Sequence, residues 1–494
     1  MTPDYKSLPQ GFKPLTAYQA PLEASYKILP FNFTRIDQVR YLVSNDAGDY
    51  FVLRREELID FVNGELSQES EIYRNLRARH FLYDEESDAA IDLLAIKIRT
   101  KFAKVRNFTS LHLFVVTLRC DYSCPYCQVS RQTEDEKSFD MSEETALQGI
   151  DFVFKSPSPS VKIEFQGGEP LLNFSLVKFI VEKAEERNKS EKRDLEFVIA
   201  TNLSFIDEGI LGFCEEHGIY ISTSLDGPAP LHNANRPRRG KDGHKKTLEG
   251  IQKVQERLGP DHVSALMTTT RASLDYPRQI IDEYLDAGFR SIFLRPISPY
   301  GFALKTRQAE KYNFERFFEF YQEAMDYILD INRHGVDFVE QYSSLVLTKL
   351  LSPFPTGYVD LQNPAGIGIS AIVFNYDGGV YASDEGRMLA EMGDETFRLG
   401  ELGEQTYEEI MLNPNLHGAL EESITFSSPE CSECAFQPFC GSDPVYHHAT
   451  QGDWVGHKEF SAFCERTKKV TGYLIRKLED SPEDAEILQS WVKA

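Results

Sequence analysis

The sequence predicts an α/β protein built around a parallel sheet that curls into a barrel. Two observations predict it. From about residue 110 the chain alternates short runs rich in β-branched and aromatic residues with longer stretches that place apolar residues every three or four positions. Successive strands separated by helices imply parallel neighbours joined by right-handed crossovers. In addition, each predicted strand ends in a polar or glycine-rich cluster, and β/α barrels gather their functional groups at the C-terminal ends of strands.

The elements follow in order. Residues 1–105 read as one unit. Tyr41-Leu42-Val43 and Tyr50-Phe51-Val52-Leu53 flank Asn45-Asp46-Ala47-Gly48-Asp49, which has the composition of a hairpin turn. Helical stretches follow at Arg55–Val62 and Glu69–His80, and the whole fits a small winged-helix-like domain. Residues 106–310 carry strands at His112–Thr117, Val161–Gln166, Leu195–Thr201, Ile219–Ser224, His262–Thr268 and Ser291–Arg295. Helices lie between them at Ser142–Phe154, Leu176–Glu186, Asp207–His217, Lys245–Leu258 and Pro277–Ala287. Asp140 and Glu143 bracket a capping box for the first of these helices. The natural closure is a partial or full (β/α)6 barrel of the TIM type. Residues 311–370 form a helical bridge and a linker rich in Pro and Gly. Residues 371–494 open with a hairpin around Asp377-Gly378-Gly379 and carry a second cysteine group.

Bulk properties narrow the function. The 494 residues are 41% hydrophobic, enough for a large core, and mean hydropathy is −0.38. No apolar run reaches the roughly 18 residues of a membrane span. Met1-Thr2-Pro3-Asp4-Tyr5-Lys6 lacks the apolar stretch of a secretory signal. The expectation is a cytoplasmic protein with no membrane partner. The net charge of −24 repels phosphate backbones and argues against nucleic acid. One local basic patch, Arg236-Pro237-Arg238-Arg239-Gly240-Lys241, stands against that background. A basic or neutral peptide partner suits the rest.

Seven of the eight cysteines fall in two groups, and clustered thiols in a chain of this kind point to metal. The eighth, Cys214, sits on an apolar helical face and reads as core. The first group is Cys120-Asp121-Tyr122-Ser123-Cys124-Pro125-Tyr126-Cys127. Three thiolates on one loop can hold three irons of a [4Fe–4S] cluster and leave the fourth open to a substrate. Spacing alone leaves a zinc site, completed by a distant His, as an alternative. Position favours the cluster. The loop follows the first strand, Gly167-Gly168-Glu169-Pro170 the second, Thr201-Asn202 the third, and Ser224-Leu225-Asp226-Gly227-Pro228 the fourth. The second group is Cys431, Cys434, Cys440 and Cys464. Four thiolates suit a fully ligated cluster, with a four-cysteine structural zinc as the alternative. His447-His448 offers ligands or bases, with a partly buried loop or helix start as the commoner reading of such a pair.

The Cys-x3-Cys-x2-Cys loop together with Gly-Gly-Glu-Pro resembles the radical S-adenosylmethionine (SAM) superfamily. The resemblance implies a cluster held by Cys120, Cys124 and Cys127, with SAM chelating the open iron. It implies that Gly168 and Glu169 meet the SAM amino group and that Asn202 and Ser224 lie along SAM. Arg236 would pair with the SAM carboxylate, and Tyr126 would lie near adenine. The second group resembles the SPASM extension of peptide-modifying members, with a departure. Where that extension carries cysteines of one of its two auxiliary clusters, this chain reads Tyr381-Ala382-Ser383 and Pro444. Two [4Fe–4S] clusters are therefore expected in all, one SAM-binding and one auxiliary. Asp384 stands where sulfatase-maturing relatives place a base.

Phe108-Thr109-Ser110-Leu111-His112, Phe165 to Phe174, Ser222 to Pro228, His232 to Pro237 and Ser298 to Phe302 narrow the likeness. They are similar to the B-type radical SAM maturases of His-Xaa-Ser peptide systems. That likeness implies hydrogen abstraction from a ribosomally made precursor peptide and a post-translational modification, with a cross-link expected. A second radical SAM maturase and an electron donor such as flavodoxin or ferredoxin are the implied partners. The N-terminal unit is similar in pattern to leader-binding domains, which take a peptide as an added strand; a structural cap on the barrel is the alternative. The alternative functions are oxidation of Cys or Ser to an aldehyde, and a non-catalytic iron–sulfur peptide-binding or electron-transfer protein.

Overall fold

The computed structural model describes residues 26–84, 89–133, 135–307, 309 and 312–492. Met1–Lys6 and the 310/311 boundary lie outside the described residues. The chain divides into two compact units between Arg99 and Thr100.

In the first unit, β2 (Asn32–Arg35), β3 (Arg40–Ser44) and β4 (Tyr50–Arg54) form an antiparallel sheet in that order, and β1 (Lys27–Ile28) pairs with β5 (Leu82–Tyr83). The predicted hairpin is β3–β4. Its turn is tied by Asn45, whose carbonyl accepts from Gly48 N at 2.8 Å and whose Oδ1 accepts from Asp49 N at 3.2 Å. Sequence reading missed β2, a four-residue edge strand with alternating exposure. The helices run Arg55–Asn63 and Glu71–Ala78. The second starts later than expected because Ser70 caps it, its Oγ accepting from Tyr73 N at 3.1 Å. Val43, Leu53, Phe61, Tyr73, Leu76 and Phe81 form the core of this unit.

The second unit is organised by one nine-stranded sheet of order β12-β10-β9-β8-β7-β6-β14-β15-β16. Six strands are parallel: β6 (Leu111–Thr117), β7 (Ser160–Gly167), β8 (Asp194–Ala200), β9 (Tyr220–Ser224), β10 (Val263–Thr269) and β12 (Leu294–Pro296). β6 is buried along nearly its whole length, as a parallel strand covered on both faces must be. The sheet is an open arc, so the barrel is partial.

Three departures from the sequence reading have physical causes. The predicted strand Ser291–Arg295 is split at Phe293. Its first half, β11 (Ser291–Ile292), pairs with β13 (Val339–Glu340), and its second half is β12. The buried Glu340 carboxylate makes the break, accepting from Leu294 N at 3.0 Å in place of a ladder bond. Asp140 is no cap. Ser142 caps the helix Glu143–Val153, while Asp140 is held by Arg119 Nε at 2.8 Å and Nη2 at 2.6 Å. Finally, the hairpin β14 (Ala371–Phe374) and β15 (Gly379–Tyr381), followed by β16 (Arg398–Glu401), extends the barrel's own sheet. β14 lies parallel to β6 with Ala371 opposite Leu111.

Beyond the barrel, the helix Phe314–Arg333 buries Phe317, Phe320, Tyr321, Met325 and Ile328 on one face, at the 3.6-residue spacing of a core-facing helix. The helix Ala462–Asp480 packs against it. Among the described residues no helix is long and apolar enough to cross a membrane.

Candidate active site

Two glycines fix the first cysteine loop. Leu118 to Cys127 leave the end of β6, and Gly167 and Gly168 leave the end of β7 beside them. Gly168 N donates to Thr117 O at 2.8 Å and Glu169 N to Arg119 O at 2.7 Å. A Cβ on Gly168 would sit 2.1 Å from Arg119 O, and one on Gly167, where φ is +148°, 2.0 Å from Thr117 O. Only residues without a side chain allow this main-chain clamp. Arg119, fixed to Asp140 and to Leu172 O at 2.9 Å, anchors the start of the loop. Cys127 N closes a turn onto Cys124 O at 3.1 Å.

Cys120, Cys124 and Cys127 are half-buried and none is in a disulfide. Burial pushes the Cys124 thiol up to about 12, opposed by the Arg236 guanidinium. Cys120 is likewise raised by burial and then by the charge of Glu169. Such thiols ionise when a metal takes the place of the proton. The opposing pull of Glu169 on Cys120 and of Arg236 on Cys124 puts both side chains at the thiol loop.

Glu169 is fully buried. Its Oε1 accepts from Thr201 Oγ1 at 2.6 Å and Leu171 N at 3.0 Å, and its Oε2 from Asn202 N at 2.8 Å. Burial nevertheless raises its carboxyl to about 7. Asn202 Nδ2 donates to Asp121 Oδ1 at 2.9 Å, tying the third strand's end to the cysteine loop. Ser224 ends β9 opposite Leu266 of β10. Tyr126 and Arg236 meet on a residue given no role from sequence, the fully buried Asp226. Tyr126 donates its phenol to Asp226 Oδ2 at 2.5 Å, Arg236 Nε donates to the same oxygen at 3.1 Å, and the guanidinium lies 5.4 Å from the Tyr126 ring centre. The signal was present, since Asp226 sits in the polar cluster after the fourth strand.

The basic patch lies at the same loop. Arg238 Nε donates to Asp121 Oδ2 at 2.9 Å, and Ser123 N to Pro237 O at 2.9 Å. A cavity of about 730 Å³ opens there, with Cys120, Asp121, Arg131 and Arg238 in its walls. Three free thiols, a bare main-chain cradle and an adjacent cavity fit a cluster with one iron left for a ligand.

The second thiol set also converges. After burial, which takes Cys440 up to about 12, the charges that raise it are Cys464, Cys434 and Cys431. Cys464 stands in the first turn of the helix Ala462–Asp480, its N–H donating to Ser461 Oγ at 3.2 Å. The half-buried Lys349 donates to Cys440 O at 2.6 Å and to Leu361 O. The four thiols fit a fully ligated cluster.

Asp384 begins the helix Asp384–Ala390 and accepts from Nε of the fully buried Arg387 at 3.1 Å. Its neighbour Glu385 is pushed up to about 7, by burial first and then by Asp384 and Asp360. Ser383 and Pro444 line one small cavity with Asp360, Glu385 and Asp443. His447 Nε2 meets Ser461 Oγ at 2.9 Å and His448 Nε2 meets Asp394 Oδ2 at 2.7 Å, so both rings are held within the C-terminal fold. Cys214 is buried core.

Residues 114–283 match the family model of the Radical SAM superfamily. That stretch, which carries the first thiol loop and Gly167-Gly168-Glu169-Pro170, is similar to the radical SAM enzymes. The chain is 22% identical over 373 residues to a cysteine-type anaerobic sulfatase-maturating enzyme of Clostridium perfringens, covering 73% of this chain and 94% of that one. Among solved structures, native anSMEcpe with bound AdoMet has a TM-score of 0.62 at 17% identity, covering 77% of this chain and 99% of that one. Streptococcus suis SuiB bound to precursor peptide SuiA has a TM-score of 0.52 at 12% identity, covering 89% and 100%. These two share the fold. Two further curated relatives, uncharacterized proteins 29% and 28% identical, match over 63% and 49% of their own length.

Proposed function

We propose that this chain is a radical SAM maturase that modifies a ribosomally made peptide and carries two [4Fe–4S] clusters. Cys120, Cys124 and Cys127 hold the SAM-binding cluster, and Cys431, Cys434, Cys440 and Cys464 the auxiliary one. The observation that carries the reading is the Gly167–Glu169 main chain bonded directly onto the segment that enters the three-thiol loop. With cluster and SAM bound, the site supplies one-electron cleavage of the SAM sulfonium and abstraction of a hydrogen atom from the substrate.

The chain's own residues do the rest. Gly168 offers a backbone surface with no side chain in the way. Glu169, with two oxygens already oriented by Thr201 and Asn202, receives the SAM amino group. Asn202 and Ser224 line the cofactor. Arg236 is held in place by Asp226 and supplies positive charge toward the SAM carboxylate, while Tyr126 closes the adenine end. Asp384 is the base toward the substrate, its carboxylate held in place by Arg387 Nε. The expected substrate is a precursor of the His-Xaa-Ser type and the expected product a cross-link. A second radical SAM maturase and a flavodoxin or ferredoxin are the proposed partners, and the first unit is proposed to bind the leader. The protein is expected in the cytoplasm.

Anaerobic reconstitution with SAM and dithionite tests the chemistry through formation of 5′-deoxyadenosine, whose absence sinks the reading. Mass spectrometry of a co-expressed precursor tests the product, and a loss of two hydrogens with fragment ions joined across two residues supports the cross-link, since oxidation of Ser to an aldehyde also removes two hydrogens. The second reading, oxidation of Cys or Ser to an aldehyde, is favoured by the likeness to the sulfatase-maturating enzyme along 94% of its length. For a Cys substrate it requires loss of the sulfur, which the same spectrum separates from a cross-link.

A further inference from the structure

A second cavity, of about 160 Å³, lies beside the last barrel strand, walled by the segment that leaves β12, the helix Phe314–Arg333 and parts of the C-terminal region. Its rim is aromatic, with Tyr300, Tyr358 and Tyr446 among the lining rings. Three carboxylates from separate parts of the chain, Asp360, Glu385 and Asp443, line it as well. They face one another. Asp443 is raised to about 8 by burial, then by Asp360 and Glu385.

The phenol of Tyr300 points into this group. Tyr300 is 2% exposed, and its hydroxyl has no hydrogen-bond partner among the described residues. After burial, the charges acting on it are Asp443, Glu385 and Asp360. A buried hydroxyl without a partner is costly and marks a place where a ligand completes the bonding.

The positive charge nearby is loosely applied. Arg466 Nη2 stands 3.4 Å from Asp360 Oδ2 and Arg295 Nη2 3.8 Å from Glu385 Oε1. Both distances exceed the roughly 2.7–2.9 Å of a close charge-assisted bond. Asp443 accepts from Tyr446 N at 2.9 Å as a helix cap, and the positive group acting on it is the same Arg466. Three acids thus share two distant guanidinium groups. An organic cation suits the cavity, because tyrosine faces attract it and also accept an alkyl stem.

The cavity adjoins the thiol loop. Directly after Tyr300 and Gly301, Phe302 N donates to Cys127 O at 2.8 Å. One wall therefore continues into the proposed radical site.

We propose that this cavity receives a basic side chain of the peptide substrate, with its cationic head among Asp360, Glu385 and Asp443 and its stem against the tyrosines. The proposal rests on the peptide-maturase reading and adds the class of side chain that the enzyme recognises.

The test uses the reconstituted holoenzyme with SAM, titrated by calorimetry with the Nα-acetyl amides of lysine, arginine, histidine and, as the neutral control, norleucine. At least one cationic probe is expected to bind saturably and about tenfold or more tighter than norleucine, the scale of a desolvated cation in an aromatic, acidic site. Glu385→Gln and Asp443→Asn should each weaken that probe about tenfold. If an acid variant fails to fold, Tyr300→Phe removes a single hydroxyl and should also weaken binding. Norleucine amide binding as well as the cations, or binding undiminished in the folded variants, overturns the proposal. Formation of 5′-deoxyadenosine by the same preparation is measured in parallel, so failure of the radical SAM reading shows separately.

Discussion

The phenol of Tyr126 donates to Asp226 Oδ2 at 2.5 Å, joining the cysteine loop to the end of the fourth barrel strand. Arg236 shares that oxygen, and Asp226 is wholly buried. Replacing Asp226 by Asn removes the charge that offsets a largely buried guanidinium. Asp226→Asn should lower stability by about 3–5 kcal/mol, the usual cost of breaking a buried pair from one side. Urea denaturation of the apo-protein measures it; a loss below about 1 kcal/mol would mean that the pair is compensated elsewhere.

The two thiol sets should load independently. Replacing Cys120, Cys124 and Cys127 together by Ala should leave about four of about eight irons per chain and abolish 5′-deoxyadenosine formation. Replacing Cys431, Cys434, Cys440 and Cys464 should also remove about four irons, while retaining the spectrum of the first cluster. Iron determination with visible absorption reads both, and a colourless zinc-containing wild type would refute the cluster assignment.

Gly168 tolerates no side chain. The added carbon of Gly168→Ala would meet backbone, the carbonyl of Arg119 at 2.1 Å, with no flexible group to yield. The clamp between β7 and the cysteine loop must open, and SAM affinity should fall by about tenfold or more, corresponding to at least one lost backbone bond. Equilibrium binding of SAM to the reconstituted variant checks this, and unaltered affinity would show that the clamp does not shape the cofactor site.

Alkaline pH should weaken the fold through the acid pocket. Glu385 and Asp443 are raised to about 7 and about 8, above the unfolded carboxyl range near 4. The folded state therefore holds more protons than the unfolded state between those values. Their contribution is fully present below pH 4 and is lost as pH rises through 7 to 8. Glu385→Gln and Asp443→Asn should each flatten the decline in thermal midpoint of the apo-protein between pH 5 and pH 8. An unchanged slope in both would place the protons elsewhere.

Much of the catalytic half of this molecule was legible as sequence. β6 read as an apolar run because a parallel strand buried on both faces has little choice of residue, while β7 to β10 mix buried with less buried positions and read from their β-branched and aromatic residues. Gly168 read, through the resemblance, as a contact to SAM; the close approach of Gly167 and Gly168 to the Thr117 and Arg119 backbone came only with the structure. What escaped was tertiary. Asp226 becomes a keystone only when Tyr126 and Arg236 arrive from other segments. The break at Phe293 depends on Glu340, 46 positions from Leu294. The edge strand Asn32–Arg35 is too short for periodicity to register. The acid pocket draws Asp360, Glu385 and Asp443 from three stretches that share no motif.

The pairing of β14 with β6 also bears on how the chain can be divided. β6 leads into the first thiol loop, and its far edge is covered by a strand from residues 371–374. Cutting the chain before Ala371 would leave a row of unsatisfied amides along a long apolar strand. Such an edge recruits strands from other molecules. A barrel prepared without the C-terminal quarter of the chain should therefore be a sticky, self-associating fragment rather than a smaller enzyme.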